Sequence, residues 1–408
     1  MESCEIDASN ISVLGGDGTS NNTGWKEGSM THLENILGKN CQRAVCLLHH
    51  YELPLRALFT HLDGTTAGPN CFSGPLGKMI ATDVWKLPYN KNFKRLNLLD
   101  FPDVPEEVVQ SLSTDAKLLH NMCQLANTGN SSIDCESLTK ATIGKLFLSR
   151  WLTMATRVVR VYIAISEESE LYFKVFTLVK YIVGVYWKMH IATKYKSSII
   201  DGPQQIFDEI SSIRKLEFDK HTDGSVDVLH KSIQTNCYFV HPENILLAML
   251  GDKKKTVRAE AVRMITKVRR LGRPTNDIRE FHLPELNFSA KNYYELVNFY
   301  GKRGSILMYK SKSRGTLAVT EPPLLMKCRD LKQFISKPLS LHYPCHTQSV
   351  ERAVELTTET TKRVSGQKRQ IGEALNTIAA RKKPWLAEGK KNIYVSRKVS
   401  LKNASGST

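Results

Sequence analysis

The sequence predicts an α/β fold that is interrupted by a large, mostly helical insertion. Two apolar runs near the start support the α/β part: one leads into Gly15-Gly16-Asp17, and the other covers Ala44–Leu48. A helix is predicted between them, over Met30–Leu37 with Gly38 behind it. A strand, a helix and a strand in so short a stretch form a crossover between parallel strands. The third observation is helical apolar spacing between residues 105 and 235, which predicts the insertion.

The chain divides into four predicted segments. Residues 1–60 hold the first part of the α/β core, and residues 61–335 form the mainly helical insertion, whose C-terminal part is irregular. Residues 336–366 supply a helix that closes the core, and residues 367–408 form a basic, flexible tail. Because two parallel strands do not make a stable sheet alone, the remaining strands either come from elsewhere or are absent.

Individual elements follow from apolar periodicity and from breakers. Dense Gly and Pro between residues 61 and 80 predict a loop, and Ile306–Tyr309 is strand-like. The helices predicted after residue 100 are Val108–Leu112, Ala116–Leu125, Leu138–Phe147, Trp151–Ile165, Leu171–Ile191, Ile245–Leu250, Thr256–Leu271 and Val350–Val364.

Composition restricts the class of partner. The 408 residues carry a net charge of +17, which favours a polyanionic partner, either nucleic acid or an anionic membrane face, with a merely soluble basic surface as the alternative. Nine cysteines without a regular framework, and no signal peptide, predict a reducing intracellular compartment. The most apolar segment, Val175–Trp187, is short and contains Lys180, so a buried helix is predicted and no membrane span.

Basic residues cluster in two places. The Thr256–Leu271 helix has an apolar stripe and an opposite basic face, and twelve Lys or Arg stand against two Glu between residues 362 and 402. Both regions are candidate contacts for DNA phosphates, with an ordinary solvated surface as the alternative for the helix. The candidate DNA-binding residues are Arg258, Arg263, Lys267, Arg270, Arg381, Lys382 and Lys383.

Asp17 is the first candidate for chemistry, because ligands in open α/β sheets bind outside the carboxyl ends of strands. An Asp in a Gly-rich turn is the equally weighted structural alternative. Three further features follow Asp17 in order. They are Cys46-Leu47-Leu48-His49, the pair Arg150-Trp151, and Ser349-Val350-Glu351-Arg352 at a helix start.

In this order the motifs resemble the hAT superfamily of transposases, over roughly residues 10–365. The resemblance implies an RNase H-like core split by a helical insertion, with Asp17 as the second catalytic Asp and Glu351 as the final Glu. Both carboxylates would bind Mg²⁺ or Mn²⁺ for two-metal chemistry on DNA in the nucleus. Cys46, His49, Arg150 and Trp151 would support the core.

One departure limits this expectation. The family's first catalytic Asp lies upstream of the second, whereas only 16 residues precede Asp17 and no strand is predicted among them. The sequence therefore predicts a partial RNase H-like core with its first strands missing, and a transposase-like protein that is catalytically incomplete. The alternative is a non-catalytic nucleic-acid-binding remnant. Homo-oligomerisation stays open.

Three alternative interpretations of these motifs are weaker. Gly15–Thr19 also matches the phosphate turn of diacylglycerol, sphingosine and NAD kinases, but their second Gly-Thr-x-Asn loop has no match here. Cysteine and histidine ligands for zinc are present without a second close pair; they are Cys41, Cys46, His49 and His50. Trp151 could equally be a packing residue, with Arg150 extending to solvent.

Overall fold

The structure is a computed structural model, and its described residues are mostly helical. It describes residues 11–340 except 12, 25–26, 40, 69–70, 130–134, 147–150, 196–198, 219, 237–239, 241, 272–283, 300–307, 312–314 and 319–329. The chain forms two compact units. Unit 1 contains residues 1–47, 196–204 and 238–408, and unit 2 contains residues 48–195 and 205–237.

Unit 1 begins with the predicted strand–helix–strand crossover. Strand β1 covers Val13–Gly16, the short helix α1 covers Ser20–Thr23, helix α2 covers Ser29–Leu37, and strand β2 covers Gln42–Val45. The two strands pair in parallel, from Val13 opposite Gln42 to Gly16 opposite Val45. Helix α2 ends at Gly38, which adopts the left-handed conformation (φ 62°) that favours glycine at helix ends. The parallel pair and α2 are therefore confirmed.

The second strand lies earlier than the predicted Ala44–Leu48 and ends at Val45, because a helix begins inside the apolar run. Helix α3 covers Leu47–Asp63, with Pro54 in its interior, and the sequence reading missed it. A continuous apolar run does not distinguish a buried strand from a buried helix. The stripe that α3 buries is nevertheless helical in spacing, and consists of Leu47, Leu48, Tyr51, Leu55, Leu58 and Phe59.

The region predicted as a loop, residues 61–80, contains regular structure. Strands β3, Thr66–Gly68, and β4, Cys71–Phe72, pair antiparallel, and helix α4 covers Pro75–Ile80. The buried Asp63 carboxylate accepts hydrogen bonds from the backbone N–H groups of Leu76, at 3.1 Å, and Gly77, at 2.6 Å. This side-chain cap starts α4 in a stretch whose glycines and prolines indicate a loop.

The rest of unit 2 is helical, as predicted. Its remaining elements are α5 Glu106–Ser111, α6 Thr114–Thr128, α7 Cys135–Lys140, α8 Leu152–Tyr162, α9 Tyr172–Tyr181, a π-helix Ile182–Tyr186, α10 Trp187–Tyr195, α11 Gly202–Lys215 and α12 Ser225–Thr235. The predicted helix Leu138–Phe147 was too long, since α7 ends at Lys140. Trp187, Tyr186 and Tyr181 are fully buried near the π-helix and form part of the core of this unit.

Unit 1 continues after residue 238 with two helices close to their predicted positions. Helix α13 covers Pro242–Gly251 and helix α14 covers Lys255–Leu271. A hairpin follows, with β5, Met308–Ser311, antiparallel to β6, Gly315–Ala318, and a short helix α15 covers Gln333–Ser336. The predicted helix Val350–Val364 and the basic tail lie outside the described residues.

Candidate functional site

The turn after β1 is organised by the side chain of Asp17, which is half-buried. Its Oδ1 accepts three hydrogen bonds: from the Thr19 backbone N–H at 3.0 Å, the Thr19 hydroxyl at 2.6 Å and the Asn22 amide at 2.7 Å. This pattern is typical of an Asp that stabilises a turn by accepting hydrogen bonds from the residues that follow it in the chain. The Asn-rich sequence after Asp17 thus closes the turn around one carboxylate oxygen.

Cys46 lies at the same end of the strand pair. Its backbone N–H donates to the Gly16 carbonyl at 2.8 Å, one residue beyond the last paired position of β2. The Cys46 side chain is buried, with 4% exposure, next to the start of α3. Asp17 and Cys46 therefore directly follow the carboxyl ends of two neighbouring parallel strands, which is where ligands bind in open α/β sheets.

A buried ion pair that the sequence reading missed joins α2 to β2. Arg43 donates to the Glu34 carboxylate at 2.8 Å, and both side chains are 2% exposed. The guanidinium also donates to the Thr31 hydroxyl at 3.0 Å, and Glu34 accepts from the Cys41 backbone N–H at 2.9 Å. Each charge is thus paired and hydrogen-bonded, as burial requires. Only the crossover topology brings these two residues together, so spacing alone gave no signal.

In unit 2, helix α3 brings His49 and Glu52 to the start of α8. Glu52 Oε1 accepts from the backbone N–H of Trp151 at 3.2 Å, and Glu52 Oε2 lies 3.9 Å from His49 Nδ1. The Trp151 ring packs edge-on against Phe59, with centroids 5.7 Å apart. The structure therefore joins the Cys-x-x-His helix to Trp151, two features that are separate in sequence. Arg150 lies outside the described residues.

The next residue of α3, His50, forms a second buried polar cluster. Its Nε2 lies 3.0 Å from Glu209 Oε2, and its Nδ1 lies 3.0 Å from the Asn236 carbonyl oxygen. Because a carbonyl can only accept, Nδ1 carries the hydrogen of that bond. Tyr181 donates to Glu209 Oε1 at 3.3 Å, and burial, followed by the Glu209 carboxylate, raises the pKa of this phenol well above its ordinary value. These bonds tie α3, α9, α11 and the end of α12 together.

The two histidines of α3 thus belong to different arrangements. His49 is partly exposed, at 23%, whereas His50 is buried, at 3%. Among the described residues, no group of three or more His, Cys, Asp or Glu side chains could hold a metal ion. On their own, these residues therefore do not fit a two-metal site. Glu351 lies outside them, so the approach of its carboxylate to Asp17 stays a prediction.

The candidate DNA-binding residues of α14 have different environments. Arg258 was predicted on the basic outer face but is buried, with 5% exposure. It donates to the carbonyls of Phe334 at 2.8 Å, Asp252 at 2.7 Å, Lys253 at 2.8 Å and Ile335 at 2.9 Å. Its predicted position on the outer face is therefore wrong, because its guanidinium donates to backbone carbonyls before α14 and at the end of α15.

The other basic candidates divide into exposed and undescribed residues. Arg263 is exposed and pairs with Glu260 at 2.6 Å, and Lys267 is exposed. Exposed lysines also precede the helix, at Lys253 and Lys254. The side chains that lie outside the described part are those of Arg270, Arg381, Lys382 and Lys383.

Comparison with known protein families, with curated proteins and with solved structures gave no match to this chain. Within the described residues, no helix is both long enough and apolar enough to cross a membrane.

Proposed function

We propose that this chain is a transposase-like DNA-processing protein of a mobile element, related to the hAT superfamily and acting in the nucleus. The observation that carries the proposal is the parallel pair of β1 and β2, with Asp17 after the first strand and Cys46 after the second. The resemblance assigns Asp17 as the second catalytic Asp of an RNase H-like core and Cys46 as the first residue of the Cys-x-x-His motif. The hydrogen bond between Glu52 and Trp151 adds support, because it connects α3, the helix that carries His49, to Trp151.

The chemistry of such a core depends on divalent metal ions, which would activate the attacking oxygen and stabilise the leaving one. Asp17 and Glu351 would be the ligands for Mg²⁺ or Mn²⁺ in this chain. Asp17 Oδ1 accepts three hydrogen bonds, so a metal ion at this oxygen would have to compete with them. We propose that the site is catalytically incomplete, and a non-catalytic nucleic-acid-binding protein is the second candidate.

Binding to DNA is the part of the proposal that depends on charge. The chain carries +17, and its described cations include exposed Lys253, Lys254 and Lys267. Lysines and arginines that neutralise phosphates release counterions, so affinity falls steeply as salt rises. We expect DNA binding with little sequence preference, and a steep linear decrease of log affinity with log salt.

The test measures binding of the full chain to a mixed-sequence DNA duplex at about 50 to 200 mM salt. Removal of the residues after Gly366 should flatten the salt slope more than any single substitution in α14, because the removed segment holds ten Lys or Arg. A variant with these cations replaced by Gln at constant length is the matched control for chain length. Affinity that did not change with salt would contradict phosphate contact and the DNA-binding proposal.

Catalytic incompleteness has its own experiment. The purified chain, incubated with supercoiled plasmid and Mg²⁺ or Mn²⁺, should not nick it, and Asp17→Ala should behave the same. Metal-dependent nicking by the parent chain that is lost in Asp17→Ala would show a complete site, and the inference of incompleteness would be wrong.

A further inference from the structure

Helix α9 in unit 2 carries an exposed aromatic surface that the candidate site does not use. Phe173 is 37% exposed, and it is one of three large apolar side chains that are exposed among the described residues. Phe173, Phe176 and Lys180 are spaced three and four residues apart, which places them on one face of the helix. The helix contains two lysines and no acidic residue. An aromatic ring and positive charge therefore occur together at this surface.

A second exposed ring, the imidazole of His221, lies against Phe173. The two ring centroids are 4.4 Å apart, and the ring planes are inclined by 32°. His221 lies in the short 3₁₀ helix Lys220–Thr222. The Thr222 hydroxyl forms a buried hydrogen bond with the Thr177 hydroxyl of α9, at 3.0 Å, which fixes this segment against the helix. The two rings are thus held next to each other before any ligand binds.

Two lysines lie over the neighbouring ring of Phe176. The Nζ atoms of Lys94 and Lys180 are 5.6 and 5.0 Å from the centroid of this ring. Lys180 also donates a hydrogen bond to the carbonyl of Glu217, in the connection that leads to His221. Lys94 is exposed, and an aromatic ring has no net charge, so this contact does not neutralise its ammonium group. The aromatic surface therefore has a cation beside it that can contact an anion.

The nearby acidic side chains indicate the direction in which a polyanion would lie. Glu167, Glu168 and Glu170 are exposed and precede α9. Burial raises the pKa of the Tyr172 phenol, and the Glu167 carboxylate acts in the same direction, which places this negative charge close to the start of the helix. A polyanion on α9 would therefore follow the lysines toward the C-terminal end of the helix, because the acidic segment repels it.

We propose that Phe173 and His221 form a stacking platform for the bases of single-stranded DNA, and that Lys94 contacts its phosphates. Proteins that bind single strands combine a positively charged surface with aromatic side chains, because every base has a π face that can stack on a ring. In a duplex these faces are covered by the neighbouring base pairs, so the platform should distinguish a single strand from a duplex. The inference rests on the proposed function, since it names a form of DNA that the chain binds.

The test compares the affinity of the full chain for an oligo-dT strand of about 16 nucleotides and for the mixed-sequence duplex. Phe173→Leu keeps an apolar side chain but removes the ring, so it should weaken binding of the single strand by about tenfold and leave the duplex unaffected. Phe173→Trp retains a π face and should retain this affinity. Leu99→Ala is the matched control, because Leu99 is an exposed apolar side chain of unit 2 without a ring, and it should change neither affinity.

The dependence on salt separates the lysine from the rings. Lys94→Gln should reduce the salt slope of single-strand binding by about 0.7, because one phosphate contact is lost. Phe173→Leu should leave this slope unchanged, since a neutral ring releases no counterion. The control is Lys140→Gln, at an exposed lysine that pairs with Glu136 at 2.5 Å, and it should leave the slope unchanged.

The two probes distinguish failure of the platform from failure of the proposed function. A parent chain that bound the duplex but not oligo-dT would overturn the platform and leave the proposed function in place. Unchanged single-strand affinity in Phe173→Leu, or an equal loss for both probes, would also overturn the platform. A chain that bound oligo-dT through Phe173 but did not bind the duplex would support the platform and contradict the proposed duplex binding, and a chain that bound neither would refute both.

Discussion

Buried arginines in this protein have two different kinds of hydrogen-bond partner. In the α/β part of unit 1, Arg43 is neutralised by Glu34, and both side chains are 2% exposed. In unit 2, Arg157 and Arg160 are equally buried, but their hydrogen bonds go to backbone carbonyls. Burial lowers the pKa of both arginines in unit 2. A carboxylate partner can be removed by substitution, whereas a backbone carbonyl cannot.

The positions of the acceptor carbonyls explain why the buried arginines of unit 2 have backbone partners. Arg157 donates to the carbonyls of Ile80 and Thr82, both at 2.8 Å, and of Gly144 at 3.1 Å. These acceptors lie at helix ends and in irregular segments, where backbone carbonyls have no ladder partner. The planar guanidinium with five donors can serve several of them at once. Arg157 and Arg160 therefore stabilise helix ends and the segments that connect helices, whereas Arg43 stabilises the packing of α2 against β2.

The largest effect is expected from removal of the carboxylate alone. Glu34→Leu leaves Arg43 buried without its counter-charge, which should cost about 3–5 kcal/mol. The measurement is the exchange of the Cys46 amide, which bonds to Gly16 and reports opening of the strand pair. The control is Glu27→Leu, since that carboxylate is 87% exposed. Joint replacement of Glu34 and Arg43 by Met should recover most of the loss, and failure to recover would contradict this account.

An intermediate effect is expected in unit 2. Arg160→Met removes donors from the carbonyls of Thr139 and Leu87, while it also removes a desolvated charge. The net loss should be about 1–3 kcal/mol in urea unfolding. No second side-chain substitution can rescue this loss, because both acceptors are backbone groups. Arg56→Met, at an exposed position of α3, should change stability by less than about 0.5 kcal/mol. Equal losses of stability in Arg160→Met and Arg56→Met would contradict a stabilising role for the buried guanidinium.

A smaller effect depends on pH and involves His120. Burial lowers the pKa of this imidazole below its ordinary value of 6.5, although the Glu106 carboxylate acts in the opposite direction. As pH falls below about 6.5, the unfolded chain binds the proton first, so the free energy of unfolding should fall until the lowered pKa is passed. His120→Phe should reduce this slope without abolishing it, because burial also lowers the pKa of His230.

The measurement for His120 is urea unfolding at about pH 7.5 and about pH 5.5. Phe is the chosen replacement because His120 lies beside the rings of Phe101 and Trp187, with centroid distances of 6.2 and 5.4 Å. The same comparison for His32→Gln, at a side chain that is 54% exposed, controls for the loss of any histidine. A slope that His120→Phe left unchanged would exclude His120 as its source.

The smallest effect is expected for an arginine that is not buried. Arg263→Ala should change stability by less than about 1 kcal/mol, since the pair with Glu260 is exposed. If Arg263 contacts a phosphate, the salt slope of DNA binding should decrease by about 1. Arg258→Ala is the contrasting variant, because its loss should mainly destabilise the protein. A larger loss of stability in Arg263→Ala than in Arg258→Ala would reverse the assignment of these two residues.

Periodicity and breakers in the sequence were sufficient for several elements. The apolar run before Gly15-Gly16 and the glycine at position 38 placed β1 and α2, and apolar spacing placed α6, α9, α13 and α14. Asp17 could be predicted from the sequence as a candidate site residue, because a carboxylate directly after a strand is a local pattern. In each case the signal lies within a few neighbouring residues, and local propensity and burial agree.

Tertiary structure alone decided which polar residues are buried and what they contact. Arg258 has the spacing of an outer-face residue, yet it is buried and donates to backbone carbonyls at the end of α15. Glu34 meets Arg43, and Glu52 meets Trp151, only after the chain has folded back. The reason is physical: a buried charge is tolerated wherever distant groups satisfy its hydrogen bonds, and the positions of those groups are set by packing rather than by sequence spacing.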